Sequence, residues 1–248
     1  MAVIGIIGGS GLDNPDIFKT PRDEKVSTSY GDPSSALMRG TIDGVQVVLL
    51  SRHGREHTIP PTQVNYRANI TALKNAGCTH IVATTAVGSL REEINRGDLV
   101  IVDQFIDVTK QRKMTFHESF EPHKPVHTPM AEPYDSRLRK LLIDECKNRN
   151  YPFHDKGTVI TIEGPRFSTR AESRMFRFWG ADIINMSSAT ETTLANEAGI
   201  PYALIAMSTD YDSWRTGDEP VTWEEIERVF AENAARVTTL LTSIITKI

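Results

Sequence analysis

Short apolar runs alternate along this chain with longer segments of helical period. Val3-Ile4-Gly5-Ile6-Ile7 is apolar throughout and stops at Gly8-Gly9, which predicts a buried strand. Residues 45–50 predict a second strand, with 36–42 as its hairpin partner across an Asp43-Gly44 turn. Residues 63–76 carry a helical pattern that stops at Gly77, and strands are predicted at 80–84 and 99–105. Residues 108–134 are polar, rich in His and Pro, and without a period. They read as a long excursion of the kind that is often functional. Ser136 then reads as the cap of a helix with Leu138, Leu141, Leu142 and Cys146 on one face. A strand at 158–162 precedes the capping box Thr169-Arg170-Ala171-Glu172, whose helix ends near Gly180. A strand at 182–186, a helix to Glu197 and a strand at 202–207 follow. Thr222-Trp223-Glu224-Glu225 is a second capping box. It opens a last helix on which Val229, Val237, Leu240, Leu241 and Ile244 keep the period.

This alternation predicts an α/β fold: a mixed, mainly parallel twisted sheet flanked by helices. No Pro/Gly/Ser linker divides the chain, so 1–248 is expected to be a single domain. Composition narrows the partners. With 39% hydrophobic residues the chain is too apolar to be disordered. A net charge of −4, with basic residues scattered, argues against nucleic acid. No apolar run reaches the ~18 residues of a membrane span, and the N-terminus lacks a basic leader. Cys78 and Cys146 show neither metal-ligand nor redox spacing and read as small apolar residues in a reducing compartment. The expectation is a cytoplasmic protein without a metal.

In parallel sheets ligands bind beyond the carboxyl ends of strands. Those junctions here are Gly8-Gly9-Ser10-Gly11, Ser51-Arg52-His53-Gly54, Thr85-Ala86-Val87-Gly88-Ser89, Glu163-Gly164-Pro165-Arg166-Phe167, Ser187-Ser188 and Thr209-Asp210-Tyr211-Asp212. Five hold hydroxyls, glycine amides or Arg/His, and the sixth holds two carboxylates. Together they suit one small anion and a polar heterocycle. The dinucleotide fingerprint G-x-G-x-x-G fails because Asn14 occupies the third glycine position, which disfavours a nicotinamide-dependent oxidoreductase. Arg52 suits a bidentate phosphate contact and His53 adds a donor, although a salt bridge and a hydrogen-bonded His read equally from these residues. Asp210 and Asp212 alternate in an extended segment, so both carboxylates face one pocket. A carboxyl group held neutral by partial burial donates a proton to a leaving nitrogen. A solvated acidic loop is the alternative. No third ligand at a telling spacing supports a metal.

The motifs Gly5-Ile6-Ile7-Gly8-Gly9-Ser10-Gly11-Leu12, Ser51-Arg52-His53-Gly54, Thr84-Thr85-Ala86-Val87-Gly88-Ser89-Leu90 and Ile162-Glu163-Gly164-Pro165-Arg166-Phe167 resemble the trimeric purine nucleoside phosphorylase family. Asp103-Gln104-Phe105-Ile106-Asp107, His127-Thr128-Pro129-Met130-Ala131-Glu132-Pro133 and Ala206-Met207-Ser208-Thr209-Asp210-Tyr211-Asp212 resemble its 5′-methylthioadenosine phosphorylase branch. The resemblance implies phosphorolysis of 5′-methylthioadenosine, with phosphate as co-substrate and no cofactor. It implies phosphate contacts from Ser10, Arg52, His53, Thr85, the Ala86 amide and Ser187. It places Asp210 at purine N7 and N6 as the catalytic group, Asp212 at the 6-amino group, Phe167 on the base and Met186 under the ribose. It further implies an apolar 5′ pocket with Trp223 and Ile226, and His127 lent across the interface of a homotrimer or a dimer of trimers.

Two departures from the family pattern stand out. The chain reads Asn185-Met186-Ser187-Ser188-Ala189-Thr190-Glu191 without the family's proline, and its last residue is Ile248, where longer members continue over the 5′ pocket. The second departure implies a pocket open to plain adenosine or inosine. A 6-oxopurine nucleoside or methylthioinosine phosphorylase and a non-catalytic purine-nucleoside binder remain as alternatives.

Overall fold

The N-terminal apolar run forms β1 (Val3–Gly8), hydrogen-bonded in parallel to β4 (Val45–Ser51) on one side and β5 (His80–Ser89) on the other. A strand in this position is covered on both faces, which is why its sequence is continuously apolar. The computed structural model describes residues 2–8, 18–215 and 223–248, with side chains of the last stretch at 229, 231 and from 233 onward. β3 (Leu37–Ile42) returns antiparallel on β4 through Asp43 and Gly44. Both have positive φ, +47° and +85°, as a two-residue hairpin turn requires. Beyond it, β2 (Lys19–Glu24) is an exposed edge strand. Its sequence, Lys-Thr-Pro-Arg-Asp-Glu, has no apolar signal, and charge plus proline is what an edge tolerates.

The run at 99–105 is two strands, not one. β6 (Leu99–Ile101) and β7 (Gln104–Asp107) part at Val102-Asp103 and pair with different neighbours. The Asp103 carboxylate receives the Gly157 N–H at 2.9 Å at this corner. β7 lies parallel to β9 (Thr158–Thr161), which lies parallel to β10 (Ile183–Asn185). β6 runs against β11 (Tyr202–Tyr211), and the short β8 (Phe153–His154) pairs with β6. β5 joins the two parts. Its first half is parallel to β1, it is parallel to β11 along nearly its whole length, and its last residues are antiparallel to β10. Among the described residues six pairings are parallel and four antiparallel, so the sheet is mixed and mainly parallel.

Alternate residues of the central strands feed two cores. Ile7, Leu50, Ala83 and Leu204 meet α1 (Tyr66–Asn75) and α4 (Ser188–Glu197). Ile6, Leu49, Val82 and Ile205 meet α2 (Ser136–Asn148) and α5 (Trp223–Ile245). Cys78 belongs to the first core and Cys146 to the second, both as buried free thiols, so the sheet lies between them. Phe176 of α3 (Arg170–Phe178) closes a third cluster with Ile160, Ile184 and Trp214.

The helix starts correct two expectations. Asn65 caps α1 by accepting from the Ala68 N–H, and Asp135, not Ser136, caps α2 by accepting from Leu138 N–H at 2.8 Å. The Thr169–Glu172 box is formed in both directions, while the Thr222 box lies outside the described residues. α4 begins at Ser188 without needing a proline. The 108–134 excursion is pinned by two carboxylates. Glu163 accepts from the Lys110 and Gln111 N–H groups, and Glu197 from Phe116 N–H and the Thr115 hydroxyl. No helix among the described residues is long and apolar enough to cross a membrane.

Candidate active site

The carboxyl ends of β4, β5, β10 and β11 open onto a cavity of about 650 Å³. The parallel register explains the convergence. Ser51 of β4 stands level with Gly8 of β1, and Ala86 and Gly88 of β5 with Met207 and Asp210 of β11. Arg52, His53, Thr85, Ala86, Ser187, Phe167, Met186, Asp210 and Asp212, scattered over 161 positions of sequence from 52 to 212, all line it. His127 does not. Its ring is exposed and stands edge-on to Phe120, 5.8 Å between centroids. Ser10 and the side chains of Trp223 and Ile226 lie outside the described residues.

Arg52 brings a guanidinium to the cavity wall, and it is 1% exposed. Its Nε and Nη2 donate to Glu191 Oε1 at 2.5 Å and Oε2 at 2.8 Å, and Nη1 donates to the Thr84 carbonyl at 2.8 Å. Burial works against its charge, but the Glu191 carboxylate outweighs this and raises the guanidinium above its ordinary pKa. The fork toward Nε is therefore occupied, and a ligand meets only the remaining Nη1 and Nη2 hydrogens. His53 also differs from the expected donor. Its Nδ1 lies 2.9 Å from the Ile59 carbonyl, which can only accept, so Nδ1 carries the hydrogen. Burial, then the Arg52 charge, lowers its pKa to about 4. The ring is neutral and Nε2 presents a lone pair, an acceptor where a donor was expected.

Thr85 is tied in through Asn185, whose Nδ2 donates to its hydroxyl at 3.4 Å and to Ser188 Oγ at 2.9 Å. Ser187 precedes the first turn of α4 and makes no side-chain capping bond. The amides of that turn and its dipole favour an anion.

The other end is acidic. Gly88 separates the two aspartates: a Cβ there would lie 3.2 Å from Asp210 Oδ2 and 3.4 Å from Asp212 Cβ. The strand register shifts between Ser208 and Asp210, and both aspartates line the cavity beside this glycine. The Thr209 hydroxyl donates to Asp210 Oδ1 at 2.7 Å. Asp212 is buried, which raises its pKa, while the Ser168 hydroxyl, 2.6 Å from Oδ1, pulls it back down. Phe167, 54% exposed, offers a ring face at the rim. Met186 packs its sulfur on Gly164, where φ is +69°.

Ser168, Glu191 and His57, stacked 4.7 Å from His53, escaped sequence reasoning. Ser168 and Glu191 were findable only by asking what satisfies a buried carboxylate or guanidinium, because their partners lie 44 and 139 positions away.

Residues 3–246 match the family model of the Phosphorylase superfamily. The chain belongs to that family. Among its phosphorylase relatives, S-methyl-5'-thioadenosine phosphorylase of Xenopus tropicalis is 55% identical over 248 residues, covering 99% of this chain and 88% of the relative. The Drosophila melanogaster enzyme of the same name is 51% identical over 247 residues, covering 99% and 86%. A methylthioadenosine phosphorylase structure from Schistosoma mansoni in complex with adenine superposes with a TM-score of 0.94 at 42% identity, covering 99% of this chain and 91% of that one. A mutant of the adenosine/methylthioadenosine phosphorylase from the same organism, in complex with methylthioadenosine, superposes at 0.92 with 40% identity, covering 99% and 91%. The mixed sheet with helices on both faces is thus a phosphorylase fold.

Proposed function

We propose that the protein catalyses phosphate-dependent cleavage of 5′-methylthioadenosine to adenine and 5-methylthioribose 1-phosphate, a pentosyl transfer serving purine and methionine salvage. The observation that carries this is the polarity of one cavity. Guanidinium, hydroxyl and helix-amide groups gather around Arg52, two buried carboxylates stand across Gly88, and Met186 also lies on the wall.

In this reading phosphate sits against Arg52, Thr85, the Ala86 amide and Ser187, with His53 Nε2 accepting a hydrogen bond from its P–OH group and Ser10 adding a further contact. A phosphate oxygen bonds to the anomeric carbon as the glycosidic C–N bond breaks. The cation-like sugar is stabilised by the adjacent anion. Asp210 gives a proton to purine N7, so the base leaves neutral. Asp212 accepts from the 6-amino group, Phe167 stacks on the base, Met186 lies under the ribose, and Trp223 and Ile226 line the 5′-methylthio pocket. Phosphate is a co-substrate and no cofactor is needed. The reading takes 1–248 as one domain of a cytoplasmic homotrimer or dimer of trimers, in which the exposed His127 reaches a neighbour's 5′ pocket.

Incubation with methylthioadenosine, methylthioinosine, adenosine and inosine, each with and without phosphate, tests the reading. Adenine release from methylthioadenosine only in the presence of phosphate is expected. Hypoxanthine release alone would assign a 6-oxopurine enzyme, and binding without turnover would leave a nucleoside binder.

A further inference from the structure

We propose that Glu191, backed by Tyr202, is the positioning residue of the phosphate subsite: it fixes the plane and aim of the Arg52 guanidinium. The inference rests on Arg52 being a phosphate ligand. Glu191 is 0% exposed, in the first turn of α4, one turn from Ser187. It grips Arg52 along the Nε–Nη2 edge, while the Thr84 carbonyl holds Nη1. With every guanidinium nitrogen engaged, the group cannot rotate about its long side chain. The Tyr202 hydroxyl donates to Glu191 Oε2 at 2.9 Å, so the carboxylate is itself held from β11. α4 and β5 thereby meet Arg52 directly, and β11 reaches it through Glu191.

A purely structural role explains this arrangement poorly. Buried ion pairs are matched or bettered in stability by apolar residues of similar volume, because desolvation consumes the Coulombic gain. Here the pair lies at the cavity wall, with part of Arg52 facing the cavity. Its electrostatics also fit a turnover site. Glu191 neutralises Arg52 and His53 is neutral, so phosphate is held by aimed N–H groups, not by an uncompensated charge that would retard release of the phosphorylated sugar.

Glu191→Gln preserves shape but turns one arm into a donor facing a guanidinium N–H. The expected result is a rise in the KM for phosphate of about tenfold or more. The KM for methylthioadenosine and the affinity for adenine measured without phosphate should stay within about twofold, on the scale of indirect effects. Tyr202→Phe, which removes one hydrogen bond, should raise the phosphate KM by about two- to fivefold. A folded Glu191→Gln enzyme with an unchanged phosphate KM, or with both constants raised equally, overturns the proposal. If that variant does not fold, Tyr202→Phe decides, and an unchanged phosphate KM there overturns it. Arg52→Gln run in parallel separates the two levels. If it leaves the phosphate KM unchanged, the phosphate subsite itself is misplaced. If it raises that KM while Glu191→Gln does not, only the positioning role fails.

Discussion

Gly164→Ala tests how the nucleoside floor is built. Gly164 has φ +69°, and a Cβ added there would stand 2.5 Å from Met186 Sδ and 3.2 Å from Met186 Cγ. A left-handed backbone at alanine costs about 1–2 kcal/mol. Relaxed heavy-atom contacts lie near 3.5–4.0 Å, so the sulfur must retreat by about 1 Å, into a strained rotamer costing about 0.5–1.5 kcal/mol. The sum, about 1.5–3.5 kcal/mol, corresponds to a Tm lower by roughly 3–14 °C for a chain of this size. Because Met186 lines the cavity, its retreat should also raise the KM for methylthioadenosine several-fold and leave that for phosphate alone. Thermal denaturation and initial rates measure both. In the double variant with Met186→Ala the steric part should vanish, giving a coupling of about 0.5 kcal/mol or more, while the backbone part persists. A single variant with wild-type Tm and wild-type nucleoside KM would refute the assigned packing.

Three further outcomes follow from the same geometry. Asp210→Asn should lower kcat for methylthioadenosine by about 10²–10⁴-fold, the range for loss of a general acid, and unchanged kinetics would remove Asp210 from the mechanism. Thr190, 0% exposed in the first turn of α4, has a hydroxyl without a hydrogen-bond partner among the described residues. Thr190→Val should therefore stabilise by about 1 kcal/mol and raise Tm by roughly 2–4 °C, whereas a lower Tm would mean that the hydroxyl is used. His53, with its pKa lowered from 6.5 to about 4, takes up a proton in the unfolded chain before it does in the folded one. Stability is thus lost as pH falls from 6.5 toward 4, by up to roughly 3 kcal/mol. His53→Asn should flatten that part of the Tm–pH curve; a curve of unchanged slope contradicts the neutral, buried imidazole.

Most of the sheet is written in local pattern. β1, β4 and β11 are apolar runs because they are covered on both faces, and the Asp43-Gly44 hairpin is set by two residues that tolerate positive φ. Strand ends also located eight cavity residues, since a parallel register gathers its carboxyl ends at one edge, and the family resemblance added Met186. What local pattern cannot carry is pairing over distance. Arg52 reads the same whether it meets phosphate, a surface acid or Glu191, and only the fold shows that Glu191 takes the Nε edge. His53 changes from donor to acceptor because of one carbonyl, at Ile59, that no motif encodes. β2 and the break between β6 and β7 were illegible for a related reason. An edge strand needs no apolar face, and a change of sheet partner leaves both halves apolar.

The central claim is that phosphate, not water, is the nucleophile in a cavity that holds purine and anion at opposite ends. ³¹P NMR of the protein with methylthioadenosine and inorganic phosphate reads this directly. A new sugar 1-phosphate resonance should grow in step with adenine, one for one, and neither should form without phosphate. Adenine accompanied by free 5-methylthioribose, with the inorganic phosphate signal undiminished, would contradict it.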